Sequence, residues 1–431
     1  MPVFTSSIEV TADYPTIKPS LNLNFARSRA LDSRITFERA SVGTYVGRDG
    51  LIKTAGNNEP RFDHDPDTLE SLGLLIEEDS TNLCVNSTAS SSWGTPFQLV
   101  KLGTKSIVAP TGEVDAFEWT ETTDSTTHLN NAPSISISSG NSYSISSFFK
   151  EIAGGNDRGY FLQWYKSGGQ TVKVTYLPST DTTSISTSNG ASNPTNVSVV
   201  AYPDGWYKIS FTATLAETSA LAIVGLTDSS GNVNFTGDVN GKHSFWGLQY
   251  EQKAFPTSHI PTSGAAVNRA QDVGNITGSA FSSFFNTTEG VLQTEYSRIG
   301  SVNNQMVIQF KDSDGSERIE IRGQGSSGDS FRMEVIEGGA TGAQEYTFNS
   351  GAVVANVVGQ FAKVNLAYKQ NDFASTINGT IASTDNTGQV GVCDRVGIGY
   401  ANYGLGYNGH IKNIIYYPKR LTNAQLQLLT A

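Results

Sequence analysis

Cysteine is the first scarcity, with two in 431 residues. Cys84 and Cys393 lie far apart and form no CxxC pair. Two thiols cannot staple a disulfide scaffold, and their spacing matches neither a zinc motif nor a redox motif. Buried, reduced thiols are the expectation. Charge is also thin, at 16% of residues. Long helices need more Leu, Ala, Glu and Lys on their exposed faces than such a chain offers. Basic residues are outnumbered, and the net charge is −11. Clusters such as Arg27-Ser28-Arg29 and Lys419-Arg420 are too short to grip a phosphate backbone, so no nucleic-acid partner is expected. No apolar run approaches the roughly 18 residues of a membrane span, so no membrane insertion is expected. Met1-Pro2-Val3-Phe4 lacks the basic and apolar regions of a signal peptide, which leads to an expectation of assembly in a cytoplasm.

Glycine and aromatics are plentiful, with 43 Gly, 17 Tyr and 21 Phe among abundant Ser, Thr and Asn. That mixture suits many short strands joined by polar turns. The length allows two or three domains. The fold class expected is all-β: an N-terminal arm and β-meander, then two β-sandwich domains, then a short C-terminal helix.

Residues 1–20 are polar and carry Pro2, Pro15 and Pro19, and read as a docking arm. Residues 21–84 read as a β-meander docking segment. Leu21, Leu23 and Phe25 alternate with Asn22 and Asn24, and Gly47-Arg48-Asp49-Gly50 is a hairpin turn. Residues 85–265 hold many alternating strands bounded by Gly, Asn, Ser or Pro, the spacing of a sandwich or jelly roll. Residues 266–286 read as a linker. Residues 287–431 repeat the β pattern and close on Gly409–Tyr417. Thr422 to Leu429 has capping chemistry and an i, i+3, i+4 apolar set, so a short helix is expected there.

Three stretches resemble known families. Thr36 to Ser41, Tyr45, Asp49-Gly50-Leu51-Ile52, Pro60 to Pro66 and Ser71 to Glu78 resemble a segment common in tailed-bacteriophage structural proteins. Phe245 to Glu251, with Ser258-His259-Ile260-Pro261-Thr262 and Asn268-Arg269-Ala270, is similar to the end of a phage carbohydrate-binding-module-like jelly roll. Asn378-Gly379-Thr380, Gly397-Ile398-Gly399 and Asn408 to Leu429 resemble the close of a concanavalin A-like (laminin-G-type) sandwich. The resemblance implies a virion protein: a tail fibre or receptor-binding adhesin, or a decoration protein. It implies other virion proteins as partners of the arm, host-surface glycan as a ligand, and a homo-oligomer, a trimer if the chain is a fibre.

Sugar rings stack on exposed Trp or Tyr while Asn and Asp take their hydroxyls. Trp93, Trp164, Tyr165, Tyr400, Tyr403 and Tyr407 are the aromatic candidates. The loop from Tyr400 to Asn408 stands out, because it combines three Tyr with Asn402, Asn408 and glycines. Its competing role is packing on itself or on another subunit. Trp119, Trp206 and Trp246 lie in alternating strands and are expected in the core. Asp63, Asp65 and Asp67 alternate around His64, and Asp312 and Asp314 share a second acidic loop. Both groups offer hard oxygens for Ca²⁺, and structural Ca²⁺ is common in the resembling domains. Turn formation by Asp is the competing and favoured account. No GxSxG, HExxH or P-loop occurs, and the five His pair with no nucleophile. No enzyme activity is expected. A polysaccharide depolymerase stays as a rival, because carboxylate pairs follow no spacing rule.

Overall fold

The computed structural model describes residues 14–28, 30–88, 90–154, 157–300, 305–324, 330–338, 344–349, 359–400 and 406–431. Strands dominate throughout, joined by turns, and the last element is the α-helix Asn423–Thr430. The fold is all-β, as expected.

The chain divides into two compact units, and the division differs from a linear reading. One unit takes residues 1–38, 72–78 and 272–431, and the other takes 39–71 and 79–271. The 21–84 block is therefore not one meander. Its strands Leu21–Asn24 and Thr36–Glu38 belong to the C-terminal sandwich, whereas Gly43–Val46, Ile52–Ala55 and Arg61–His64 belong to the middle one.

The C-terminal unit is a two-sheet sandwich. One sheet runs Thr380–Asp385, Phe373–Ile377, Ala362–Lys369, Glu289–Arg298, Gly409–Tyr417. The far edge of Gly409–Tyr417 takes two partners in succession: Leu21 to Asn24 lie opposite Tyr416 to Asn413, and Leu74 to Ile76 lie opposite Ile411 to Gly409. The other sheet runs Thr36–Glu38, Val273–Thr277, Arg395–Ile398, Gln305–Lys311, Arg318–Gln324, Ser330–Glu337, Gln344–Asn349. Between the sheets sits a ring cluster. Phe310 lies 5.5 Å from Tyr416 and 5.8 Å from Phe281, and Phe285 lies 5.7 Å from Tyr416. The segment 266–286, expected as a linker, supplies one sheet strand and three of these rings. The reason is its apolar triplet Phe281, Phe284 and Phe285, which a solvated linker would not carry. The closing helix is capped as read: Gln425 N–H donates to Thr422 Oγ1 at 3.3 Å, and Thr422 N–H donates to Gln425 Oε1 at 3.0 Å. Of the arm, residues 1–13 lie outside the described residues. Ser20 N–H donates to the Tyr416 carbonyl at 2.9 Å, so the arm's last residues pair into this sandwich.

The middle unit is a second sandwich. A six-stranded sheet runs Thr195–Tyr202, Trp206–Thr214, Ser142–Ala153, Lys242–Glu251, Val114–Glu121, Leu99–Val108. It faces a seven-stranded sheet that runs Thr182–Ser188, Thr171–Leu177, Gly159–Tyr165, Ser219–Thr227, Leu129–Asn131, Pro96–Phe97, with Ile135–Ser136 also paired to Ser219–Thr227. Their shared core holds Trp119, Trp164, Phe149, Phe211 and Phe245. A smaller cluster on the outside of the six-stranded sheet joins Trp206 and Trp246 to Ile52 of the early hairpin. Trp119, Trp206 and Trp246 are all buried, as their strand alternation implied.

Candidate functional site

The loop that begins at Tyr400 leaves the strand Arg395–Ile398. Tyr400 is half-buried. Asn402 and Tyr403 lie outside the described residues. Tyr407 and Asn408 do not form a platform, because both are buried. The Tyr407 hydroxyl donates to the Ser297 carbonyl, with the His410 carbonyl 3.2 Å away, and burial holds its pKa well above the ordinary tyrosine value. Asn408 Oδ1 accepts the Glu78 N–H at 2.9 Å. These two residues anchor the loop. Trp93 and Trp164 are also buried and cannot stack on a sugar. The Trp93 indole donates to the Asn86 carbonyl at 2.7 Å, and Trp164 packs edge-on to Tyr250 at 5.6 Å.

The acidic candidates are taken up by protein hydrogen bonds. Asp63 is buried and accepts the Val46 N–H at 2.6 Å. Asp65 Oδ1 accepts the N–H groups of Asp67 and Thr68, at 3.0 and 2.8 Å, and Asp67 is exposed. Asp312 accepts from Gly315 N–H at 2.8 Å and Ser316 Oγ at 2.8 Å, while Asp314 accepts from Ser316 N–H at 2.9 Å. The Asp65, Asp312 and Asp314 oxygens close local turns, whereas Asp63 ties its strand Arg61–His64 to Gly43–Val46. Among the described residues no three His, Cys, Asp or Glu side chains are arranged to hold a metal ion. The residues therefore do not fit Ca²⁺. Both cysteines are buried and free, and burial pushes the Cys84 thiol up to about 11.

What the structure does assemble is a polar row across the second sheet of the C-terminal sandwich. Side chains alternate across a strand, and Phe310 points inward to Tyr416. Gln309 therefore points outward. Its register partners continue the row: Gly397 and Asn275 on one side, Glu320 and Glu334 on the other. Thr36 lies opposite Asn275 at the sheet edge. The row runs from exposed Thr36 through half-buried Asn275 to buried Gln309, Glu320 and Glu334.

Buried carboxylates need partners, and these have them. Gln309 Nε2 donates to Glu320 Oε2 at 2.6 Å, and Arg322 Nη2 donates to Glu334 Oε2 at 2.5 Å. Arg318 and Arg322 also lie 3.6 and 3.5 Å from the Glu320 oxygens. Beside the row, burial and the neighbouring Arg395 charge pull the Lys311 ammonium below the usual lysine range. Gly397 has a specific reason to be glycine. A Cβ there would stand 2.9 Å from the Tyr400 carbonyl oxygen. The chain thus turns tightly after Gly397 and brings the Tyr400 carbonyl against the row. Sequence reading named the loop but missed the row, whose members are consecutive only across strands.

The middle unit holds two polar knots of its own. Glu121 receives Arg158 and His243 at one end of the sandwich. At the other, Glu251 accepts Ser80 Oγ at 2.5 Å, Thr257 Oγ1 at 2.5 Å and Gln249 Nε2 at 2.9 Å, while Gln249 Oε1 accepts the Ile260 N–H at 2.6 Å. The tract Gly247-Leu248-Gln249-Tyr250-Glu251 and the tract Ser258 to Thr262 thus form one buried clasp. A cleft of about 20 Å³ beside it, lined by His259, Ile260, Pro261 and Arg269, has room for a water-sized guest and not for a sugar.

No family model matches the chain, and no curated protein matches its sequence. Solved structures do resemble it in part. Domain 4 of AbnA, an extracellular GH43 arabinanase from Geobacillus stearothermophilus solved with arabinotriose, is 14% identical, with TM-score 0.31, over 37% of this chain and 73% of that one. The CBM40 of the Ruminococcus gnavus IT-sialidase, solved with α2,6 sialyllactose, is 15% identical, with TM-score 0.30, over 34% and 85%. Mouse laminin α1 domains LG4-5 are 9% identical, with TM-score 0.24, over 69% and 89%. At such identities no ligand or activity transfers from them.

Proposed function

We propose that the chain is a non-enzymatic structural component of a tailed-bacteriophage particle, exposed on the virion surface after assembly in the host cytoplasm, and that its C-terminal sandwich contacts host-surface glycan. The sequence block of residues 36–78 supports the phage assignment. The observation that carries the glycan reading is the polar row with Tyr400 at Gly397. Its accessible end offers the exposed Thr36 hydroxyl and the half-buried Asn275 amide beside half-buried Tyr400, the polar and aromatic types that sugar hydroxyls and a pyranose face require, while buried Gln309, Glu320 and Glu334 brace the sheet beneath. The arm, residues 1–20, and sister subunits provide the contacts to other virion proteins, and a homo-oligomer is the working form.

The full-length chain on a glycan array tests this. Binding to a defined host glycan, weakened at least tenfold in Tyr400→Ala and Asn275→Ala, is the expected result. Absence of binding, with host adsorption intact in both variants, would leave a decoration role without sugar affinity. The burial of Tyr407, Asn408, Trp93 and Trp164 favours that second reading. Release of reducing sugar from host polysaccharide would establish a depolymerase instead.

A further inference from the structure

Strand edges carry unpaired N–H and C=O groups, and proteins blunt them with bulges, prolines, lysines or brevity. Three of the four edges of the middle sandwich are blunted in this way. Leu99–Val108 pairs with its neighbour through three register shifts and carries Lys101 and Lys105. Thr195–Tyr202 has a register shift between Thr195 and Ser198, and Asn196 there is left-handed and ties its amide to the Ala254 carbonyl at 2.7 Å. Pro96–Phe97 is two residues long and begins with proline.

The fourth edge, Thr182–Ser188, has none of these devices. All seven residues pair in unbroken register with Thr171–Leu177. It has no charge, no proline and no glycine, and six of its seven residues are exposed. Ile185 is 46% exposed although its cross-strand partner Val174 is fully buried. Such an edge is a template for another strand.

The sequence also selects the strand it fits. Thr183-Ser184-Ile185-Ser186-Thr187 reads the same in both directions. Turned about a two-fold axis at Ile185, an antiparallel copy sets Ile185 against Ile185, Ser184 against Ser186 and Thr183 against Thr187. A two-fold contact sets each residue against its mirror position, and here residues 183–187 each meet their own type, while Thr182 meets Ser188, a second hydroxyl. Hydroxyl pairs across strands are already used in this sandwich: Thr171 Oγ1 and Ser188 Oγ lie 2.6 Å apart, and Ser144 Oγ and Thr212 Oγ1 lie 2.8 Å apart. We infer that Thr182–Ser188 pairs with the same strand of a second copy of this chain, joining two seven-stranded sheets across a two-fold axis at Ile185.

The test uses the full chain and stands apart from the glycan reading, since Ile185 belongs to the other unit. Sedimentation at micromolar concentration should give Ile185→Lys half the mass of the unsubstituted protein, with an unchanged melting temperature. Register is read by mild oxidation. Ile185→Cys should form a disulfide-linked dimer, since facing residues in an antiparallel pair have Cα atoms about 4.5–5.5 Å apart. Thr183→Cys should not, since it faces Thr187. An unsubstituted chain that is monomeric, an Ile185→Lys variant of undiminished mass, or equal cross-linking at 183 and 185 would overturn the inference. The first of these outcomes would leave a foreign strand as the occupant of the edge.

Discussion

Arg158 grips Glu121 through two parallel bonds, Nε to Oε1 at 2.9 Å and Nη2 to Oε2 at 2.8 Å. His243 Nε2 stands 2.9 Å from the same Oε1, and Asp238 N–H donates to Oε2 at 2.8 Å. Burial by itself would raise this carboxyl, but the bonds from His243 and Arg158 outweigh it and hold the pKa down to about 2. A carboxyl depressed in the fold stabilises above its ordinary value of 4.5, and that stabilisation is lost as pH falls toward 2. Glu121→Ala strands a buried guanidinium, and should cost about 3–5 kcal/mol. Denaturant titrations at pH 7 and pH 3 check both statements: the gap between variant and parent should narrow at the lower pH.

His259 predicts a second acid response. It is buried against Trp246, with ring centroids 4.7 Å apart, and neither ring nitrogen has a hydrogen-bond partner. Burial, then the Lys208 charge, pulls its pKa down to about 3. The folded chain therefore keeps this ring neutral where the unfolded chain protonates it. Stability is full above the ordinary value of 6.5 and falls below it, by up to about 1.4 kcal/mol per pH unit. His259→Leu should flatten the melting temperature between pH 6.5 and pH 5 relative to the parent chain. Equal slopes would refute the assignment.

Gly397 links the row to its loop. Gly397→Val places a branched side chain against the Tyr400 carbonyl and should move the loop. The expected outcome is a loss of glycan binding of tenfold or more, with a melting temperature within a few degrees of the parent. Array binding and calorimetry on one preparation read both quantities.

A fragment spanning 287–431 should not fold alone. It lacks Leu21–Asn24, Thr36–Glu38, Ser71–Ile76 and Val273–Thr277, four strands of its two sheets, and the rings of Phe281, Phe284 and Phe285. Near-ultraviolet circular dichroism should show no fixed aromatic environment for the fragment. A well-dispersed amide spectrum would contradict the division into units.

Local pattern made the strands legible, and Thr422 with Gln425 made the last helix legible, because both signals lie within a few residues. The pairing of Leu21 with Tyr416 leaves no such trace, so the sharing of early strands between sandwiches could not be read. The binding candidates failed for a related reason. Tyr160 to Tyr165 is aromatic on both parities, and alternation alone could not say that Trp164 faces inward while Tyr165 is only half-buried. Tyr407 looked like loop material because three tyrosines cluster there, yet the carbonyls of Ser297 and His410 give its hydroxyl a buried berth. The row of Gln309, Glu320 and Glu334 is a property of register, which one sequence does not print.

The pairing of Leu21–Asn24 with Gly409–Tyr417 also orders events in time. A ribosome releases Leu21 long before it makes Gly409. The first strand must wait, with its partner's edge still unmade, through the synthesis of the whole middle sandwich. Contacts this distant in sequence close slowly. A chain that stops early can complete the middle unit and can never seal the other, so sealing reports that translation reached Tyr417.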